Sequence, residues 1–339
     1  MCIRDSPRTF SNITASDHEP ILGQFKLDRA AGPDYTLSVL HNNDGESQLI
    51  DAGTGLEDFG GVDRFATVVE NAKAAAEDCR RAQDCGSIFV SSGDNFLAGP
   101  EFNASIADEV WYDAMALDML GYDAIQLGNH DFDFGPDVLA QFISEGFDTP
   151  GVPTYIAANL DFSGEAALQA LADAGVIVDR TVVVEDGESF GIVGVVTPNL
   201  PFISSPGDVV VDPNLTTLVP AQVDALESAG VDKIIFISHL QGVAEDIALA
   251  ATLDGVDVMV AGGGDEVLAG PDDLLVPGDE PFGHYPLIAH DSVGNLIPVV
   301  TTAGSYKYLG ALEIEWDRDG NVQSWSGGPI RVSGTGPDA

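Results

Sequence analysis

The sequence predicts an α/β fold with mixed sheets. Short apolar runs alternate with segments in which apolar residues recur every three or four positions, a pattern typical of strands that alternate with covering helices. The length of 339 residues suits one large α/β domain. An Asp-Gly turn within residues 316–325 lies between apolar flanks, which predicts a hairpin and therefore an antiparallel part near the end of the chain.

The individual elements follow from the same patterns. Nine short apolar runs bounded by turn residues are predicted to be strands, at residues 36–41, 87–94, 124–128, 154–160, 190–197, 233–239, 256–264, 298–304 and 309–316. Five amphipathic segments are predicted to be helices, at residues 66–80, 107–121, 136–146, 220–230 and 243–255. The acidic, Pro- and Gly-rich segment 265–285 is long for a connection, and we expect it to lie over the carboxyl ends of the strands.

The pattern of a folded domain begins near residue 35. We therefore expect an irregular N-terminal extension over residues 1–34, a domain over 35–330 and a tail over 331–339. The first twenty residues hold no apolar core of a signal peptide, and no segment approaches the roughly 20 apolar residues that cross a bilayer, so no membrane partner is expected. Cys79 and Cys85 flank a short segment, and either a disulfide or two free thiols fits that spacing.

The charge of the chain limits its partners. The chain has 13 basic and 55 acidic residues, and its net charge is −42. Such a charge argues against nucleic acid and anionic lipid as partners. With 45% hydrophobic residues the chain is nevertheless too apolar to be disordered. A surface this acidic is typical of proteins that work in salty water. The alternative is that the chain is one of the many bacterial proteins that are acidic without living in salt.

Polar residues follow five of the predicted strands, at the position where open α/β sheets place their ligands. Each alone has a structural explanation, such as a turn, a helix cap or a buried histidine with satisfied hydrogen bonds. Together, carboxylates, an amide and imidazoles that converge with few cations nearby would repel one another unless metal ions neutralised them. The residues concerned are Asn43, Asp44 and Glu46, then Asp94 and Asn95, then Asn129, His130, Asp131 and Asp133, then His239, and finally Asp265 and Glu266.

Eight segments in a fixed order resemble one family. They are LHNNDGES, SSGDNFLAG, GNHDFDFG, ANLDF, GIVGVVTP, IIFISH, DVMVAGGGDE and GSYKYLG, spread over about residues 35–325. Their order is similar to that of the calcineurin-like metallophosphoesterases, and most closely to the N-terminal catalytic domain of the 5′-nucleotidase branch. This resemblance implies a four-layer α/β/β/α metallophosphoesterase sandwich, a centre of two metal ions, hydrolysis of phosphate esters by an activated water molecule, and a periplasmic or secreted location.

The resemblance also implies roles for individual residues. Asp44 would bind the first metal ion and Asp94 would bridge both ions. Asn129 and His239 would bind the second ion, and Asn129 would also contact the substrate. His130 would stabilise the transition state and protonate the leaving group, with Asp133 orienting its ring as the second member of a dyad. Two divalent ions about 3.5–4 Å apart suit this chemistry because together they activate a water and hold the phosphoryl oxygens.

The sequence departs from the family pattern around the metal ions. Glu46 stands where the family has an imidazole after the first strand, and Gly263 stands where it has a second imidazole near the sixth strand. Asp265 takes the place of the last ligand, and Glu266 or water is expected to fill the remaining gap. His284 and His290 are further alternatives for the missing ligand.

These departures change the expected charge and metal preference. Asp44, Glu46, Asp94 and Asp265 would balance two divalent ions, so the centre would be close to neutral. We therefore expect either a preference for less charged diesters or help with substrate binding from Lys307 or Arg64. Oxygen ligands in place of nitrogen favour Mn²⁺, Mg²⁺ or Ca²⁺ over Zn²⁺, and Mn²⁺ is the first choice.

The leading interpretation is a metal-dependent, 5′-nucleotidase-like phosphomonoesterase that acts on a small phosphate ester such as a nucleotide. A phosphodiesterase or a broad-specificity phosphatase on the same site is an alternative. The chain ends soon after the segments that resemble the catalytic domain, so nucleotide specificity is open. A weakly active metal- or phosphate-binding module is an alternative of another class, since one imidazole is lost. His130 and Asp133 argue against it, because a binder needs no leaving-group acid.

Overall fold

The computed structural model describes residues 35–78, 84–147 and 153–334. The predicted extension over residues 1–34 lies outside this part of the chain, as does Cys79, one of the two cysteines for which either a disulfide or two free thiols was expected. Cys85 is buried and disulfide-bonded. Val332 is fully buried and Ser333 forms a bridge with Phe59. The predicted boundaries after residues 34 and 330 remain predictions.

Within residues 35–334, apart from the two gaps, fifteen strands form two large mixed sheets and one small pair. The strands are β1 Tyr35–Asn42, β2 Asp84–Ser91, β3 Ala124–Gln126, β4 Thr154–Ile156, β5 Leu160–Asp161, β6 Ile177–Val178, β7 Arg180–Glu185, β8 Glu188–Val196, β9 Val210–Val211, β10 Lys233–His239, β11 Val258–Val260, β12 Leu287–His290, β13 Leu296–Val300, β14 Tyr308–Trp316 and β15 Val322–Arg331. The first sheet has the order β15-β14-β1-β2-β3-β4-β6 and the second β12-β13-β11-β10-β8-β7. β5 pairs with β9.

Eight α-helices cover the sheets in the described part of the chain. They are α1 Val62–Asp78, α2 Pro100–Asp108, α3 Tyr112–Leu120, α4 Pro136–Glu145, α5 Ala166–Asp173, α6 Leu200–Ile203, α7 Leu215–Ser228 and α8 Val243–Ala250. None of these helices has the length and apolar character that crossing a bilayer requires.

The alternation of side chains along the strands produces four layers. In β10, Ile235 and Ile237 face the core between the two sheets, whereas Ile234 and Phe236 pack with the residues of α7 and α8. In β1, Leu37 and Val39 likewise face the second sheet. The opposite face of the first sheet packs against α1, α3 and α4. The predicted α/β/β/α sandwich is therefore confirmed.

The central strands of each sheet are parallel, and this decides where the site lies. β1, β2, β3, β4 and β6 run parallel to one another, as do β8, β10, β11 and β13. The flanking strands β14, β15, β12 and β7 are antiparallel. The predicted hairpin is present, with β14 and β15 joined by a turn in which the Asp317 N–H donates to the Asn321 carbonyl.

Two of the predicted elements are each divided in two in the structure. The predicted helix over residues 107–121 is two helices, α2 and α3. Glu109 adopts a left-handed conformation with φ 55° and ends α2. Trp111 then turns away from helical geometry and packs its ring on Phe102 and Phe142. The predicted strand over residues 154–160 is likewise split into β4 and β5.

Several short or peripheral elements were not predicted. β7 lies at the edge of the second sheet, where Val182 and Val184 are exposed, so its apolar residues do not mark a buried strand. β6 and β9 are two residues long and α6 is four, too short to show a periodicity. The remaining missed elements are α5 and β12.

The core between the sheets should dominate stability. Ile235→Ala removes a fully buried side chain from β10, and we expect it to lower the free energy of unfolding by about 2–5 kcal/mol. The matched change Ile288→Ala, on a side chain that is 42% exposed, should cost much less. Urea denaturation measures both. Equal losses would contradict the assignment of the inter-sheet core.

A half-buried carboxyl that directly precedes β11, that of Asp257, predicts a pH dependence of stability. Burial raises the pKa of Asp257 to about 7, and the charge of Asp232 adds to this rise. The hydrogen bond that the carboxylate accepts from the Ile234 N–H, at 2.7 Å, and the charge of Lys233 lower the pKa and only partly offset it. Because the folded-state pKa lies above the unfolded value, this group stabilises the fold below about pH 4 and loses that effect as the pH rises through 7.

The variant Asp257→Asn cannot titrate at this position. We therefore expect its unfolding free energy to fall less between pH 5 and pH 8 than that of the wild type. Urea titrations at both pH values measure this difference. Parallel pH profiles for the two proteins would show that Asp257 has no raised pKa in the folded state.

Candidate metal centre

The loops that follow β1 and β2 are held together by backbone hydrogen bonds. The N–H of Asp44 donates to the carbonyl of Gly93, and the N–H of Glu46 donates to the carbonyl of Asp94, both at 3.0 Å. Asp44, Glu46 and Asp94 all adopt positive φ of 51–52°, a conformation that costs energy for a residue other than glycine. The two loops therefore bring a carboxylate from each strand to one point.

Asp44, Asp94 and His239 form a buried group at this point. Their side-chain ligand atoms all lie within 4.8 Å of one another. Asp94 Oδ2 is 2.9 Å from His239 Nε2, and all three residues are at most 5% exposed. Since His239 ends β10, the group joins the carboxyl ends of strands from both sheets.

The hydrogen bonding of His239 suits a metal ligand. Its Nδ1 lies 2.7 Å from the carbonyl oxygen of Ser92, which can only accept, so Nδ1 carries a hydrogen. Nε2 therefore points into the group, 3.0 Å from Asn129 Oδ1. Metal-binding histidines commonly donate their other N–H to a backbone carbonyl in this way.

The electrostatics of the group favour a cation. Burial raises the pKa of Asp44 to about 7; His239 opposes the rise and Asp94 adds to it. For His239, burial lowers the pKa, but Asp94 and Asp44 outweigh it and raise the pKa to about 10. The buried carboxylates thus need a compensating positive charge. Two carboxylates, an imidazole and a neighbouring amide oxygen are a donor set that fits divalent metal ions.

The position of Asn129 is set where the turn after β3 comes close to the loop after β2. A Cβ at Gly128 would lie 2.1 Å from Asp94 Oδ1, so only glycine fits at that position. Asp131 holds the same turn, because its Oδ2 accepts the N–H of Gly128 at 2.7 Å and its Oδ1 accepts that of Asn95 at 3.3 Å. The turn after β3 is thereby fixed against the loop after β2.

His130 lies next to this group in a chain of three side chains. Its Nδ1 is 2.6 Å from Asp133 Oδ2, and the Ser204 hydroxyl donates to Asp133 Oδ1 at 2.8 Å. The His130 backbone N–H donates to Asp94 Oδ1 at 2.7 Å. Burial lowers the pKa of His130, but Asp94, Asp133 and Glu46 outweigh it, so the net shift is upward. The imidazole is one-third exposed and can meet a ligand.

The other predicted metal ligands lie around the buried group. Glu46 is half-buried; burial and the charge of Asp94 raise its pKa, and His130 partly offsets this. Asp265 is exposed and close enough to Glu46 to raise its pKa further. Glu266 lies against Gly264, where its Oε2 is 2.0 Å from the position a Cβ would take. Among the described residues, these three carboxylates are outside the group of Asp44, Asp94 and His239.

The two cations predicted to bind substrate are engaged with other groups. The Arg64 guanidinium donates to the backbone carbonyls of Gly60 at 2.8 Å and Glu57 at 3.0 Å, which anchors the loop before α1. Lys307 Nζ is 3.1 Å from Asp279 Oδ1, in the segment 265–285. Both cationic groups are therefore used to hold loops.

Three polar residues at the site had no assigned role in the sequence analysis. Asn43 donates to Asp44 Oδ2 while its Oδ1 accepts the N–H of Thr302 at 3.2 Å. Ser204 supports Asp133, and Gln241 donates its side-chain amide to Asn129 Oδ1. Asn43 was visible as a residue at a strand end. Neither Ser204 nor Gln241 belongs to a recognisable motif, and only the packing of distant loops reveals them.

Comparisons with known proteins find relatives over most of the chain. No family model matches the chain. The 5′-nucleotidase of Bos taurus is 31% identical over 319 residues, which are 91% of this chain and 51% of that protein. The crystal structure of a 5′-nucleotidase precursor from Thermus thermophilus is 32% identical, with a TM-score of 0.73 over 88% of this chain and 55% of that one.

A calcineurin-like phosphoesterase from Bacillus subtilis shares the fold at 19% identity, with a TM-score of 0.64 over 88% of this chain and 91% of that one. The chain spans about half the length of the curated relatives it matches. In sequence and in fold, the predicted resemblance to the 5′-nucleotidase branch of the calcineurin-like phosphoesterases is confirmed over that half.

Proposed function

We propose that this protein hydrolyses phosphate monoesters, nucleotides among them, with the help of two divalent metal ions. The observation that carries this proposal is the buried group of Asp44, Asp94 and His239 with His130 beside it. The similarity to proteins named 5′-nucleotidase supports the substrate class.

The residues of the chain divide into metal ligands and groups that face the substrate. Asp44 would hold the first ion, Asp94 both ions, and Asn129 and His239 the second. When bound, two divalent ions lower the pKa of a water molecule and neutralise the phosphoryl oxygens. We assign Mn²⁺ as the preferred ion because oxygen ligands predominate.

His130 would act on the leaving group. Its Nδ1 is held by Asp133, and Asp133 is held in turn by Ser204, so the ring has one fixed orientation. Its Nε2 is therefore the atom that can donate a proton to the departing oxygen or a hydrogen bond to a phosphoryl oxygen. A module that only binds ions or phosphate would not need this chain of three side chains, which is why we favour an enzyme.

The position of the basic groups bears on specificity. The Arg64 guanidinium is turned toward backbone carbonyls and the charge of Lys307 is paired with Asp279, so neither group is directed at a phosphomonoester dianion. This observation favours a second candidate, a broad-specificity activity that includes phosphodiesters. The chain spans about half the length of the relatives named 5′-nucleotidase, so we propose the preference for nucleotides rather than take it from them. We also propose a periplasmic or secreted location and a saline environment, in keeping with the charge of −42.

Removal of metal ions should abolish the activity. We expect a chelator-treated protein to release no phenol from aryl phosphate monoesters and diesters, because the buried carboxylates alone cannot activate water. Reloading with Mn²⁺ should restore more activity than Mg²⁺, Ca²⁺ or Zn²⁺. Steady-state assays across this series measure the effect, with AMP as the nucleotide substrate. Turnover that persists in chelator would contradict the proposed function.

Replacement of His130 should depend on the leaving group. A general acid contributes about 10²–10⁴-fold, so His130→Ala should lower kcat by that factor for an alkyl phosphate, whose leaving oxygen needs a proton. The loss should be smaller for p-nitrophenyl phosphate, whose leaving group departs as an anion. His290→Ala, an exposed histidine on β12, is the matched control and should be neutral. An equal loss of kcat on both substrates would argue against proton donation by His130.

A further inference from the structure

Gly263 leaves the metal centre one side chain short. The family pattern has an imidazole at this position, and Gly263 lies at the centre: its backbone N–H donates to Asp44 Oδ2 at 3.2 Å. A Cβ at Gly263 would lie 3.0 Å from His239 Nε2. A side chain here would therefore meet the ring of His239, but the chain supplies only backbone.

Gln241 reaches the same region from the other side. Its backbone N lies 2.9 Å from the position a Gly263 Cβ would take. Its side-chain amide contacts Asn129 Oδ1, the oxygen that lies 3.0 Å from His239 Nε2. The side chain of Gln241 thus contacts one proposed ligand of the second ion, Asn129, at the oxygen that also lies next to the other, His239. The two ends of an amide have the same shape, so a half-turn of the terminal group places Oε1 where Nε2 lies.

The backbone of Gln241 supports a functional role. Gln241 adopts a φ of +82°, in the left-handed region that favours glycine. The glycine of this turn, Gly242, is the next residue, so the positive φ falls on the glutamine instead. Strained conformations of this kind persist where the surrounding structure holds them, and they concentrate at functional sites. A glutamine at this position therefore costs conformational energy that a glycine would avoid.

The alternatives for the missing ligand lie elsewhere. Glu266 rests against Gly264 and Gly242, and its carboxylate is outside the group of Asp44, Asp94 and His239. His284 is exposed and borders a pocket lined by residues of the segment 265–285. His290 is exposed on β12.

We propose that the side-chain oxygen of Gln241 is the protein ligand that takes the place of the family's imidazole at the second metal ion. This inference rests on the proposed function, because it presupposes two ions. An oxygen is a harder ligand than a nitrogen, in the sense of hard and soft acids and bases. The replacement therefore favours Mn²⁺ or Mg²⁺ over Zn²⁺ at the second site.

Counting bound ions tests the inference without an activity assay. The metal-free protein is titrated with Mn²⁺ while electron paramagnetic resonance measures the free ion. About 1 M NaCl limits binding to the acidic surface, since the screening length is then about 3 Å. We expect two tight ions per chain for the wild type and for the control Gln169→Ala, a half-buried glutamine on α5. Gln241→Ala should weaken one of the two ions at least about tenfold, because losing only a ligand's supporting partner already costs 10–100-fold.

Two further variants separate ligation from a structural role. Gln241→Glu keeps an oxygen at the same place and should retain both tight ions. Gln241→Gly should weaken the same ion as Gln241→Ala, yet its melting temperature in chelator should equal or exceed that of the wild type, because the strained φ is relieved.

The outcomes distinguish the two proposals. Two equally tight ions in Gln241→Ala would overturn the role of Gln241 and leave the proposed function intact. Equal weakening in Gln241→Ala and Gln241→Glu would show that the glutamine acts structurally, and would also overturn the inference. Fewer than two tight ions in the wild type would overturn the proposed two-metal function, and the inference with it.

Discussion

The burial of two carboxylates against each other is the constraint on which the site depends. Asp44 and Asp94 come from neighbouring parallel strands, and the hydrogen bonds between their loops force them together. Water has little access to them there, and burial raises the pKa of Asp44 to about 7. A bound cation resolves this conflict, and the positive φ of both residues shows that the backbone is strained to create it.

The four-layer fold supplies the second half of the site. Because the central strands of both sheets are parallel, their carboxyl ends can meet at one edge of the sandwich, and His239 from the second sheet completes the group that the first sheet begins. His130 depends on the same arrangement, since its backbone is tied to Asp94. One rigid framework therefore holds both the groups that would bind metal ions and the group that would act on the leaving oxygen.

Apolar patterns predicted the α/β alternation and most of the long strands, because they report directly on burial, whereas the four-layer sandwich was predicted from the family resemblance. They also placed Asp44, Asp94, Asn129 and His239 at strand ends, and the structure brings these residues together. Patterns could not reveal what Arg64 and Lys307 contact. Arg64 binds carbonyl groups of the preceding loop and Lys307 pairs with Asp279, contacts that depend on how the loops fold back. Ser204 and Gln241 were missed for the same reason, since each reaches the site only through tertiary packing.

The most direct test of this account is anomalous diffraction at the manganese edge from crystals of the protein loaded with Mn²⁺. We predict two peaks that share Asp94 as a ligand, one also bound by Asp44 and the other by Asn129 and His239. A single peak, or peaks remote from Asp94, would contradict a two-metal centre at the junction of the two sheets.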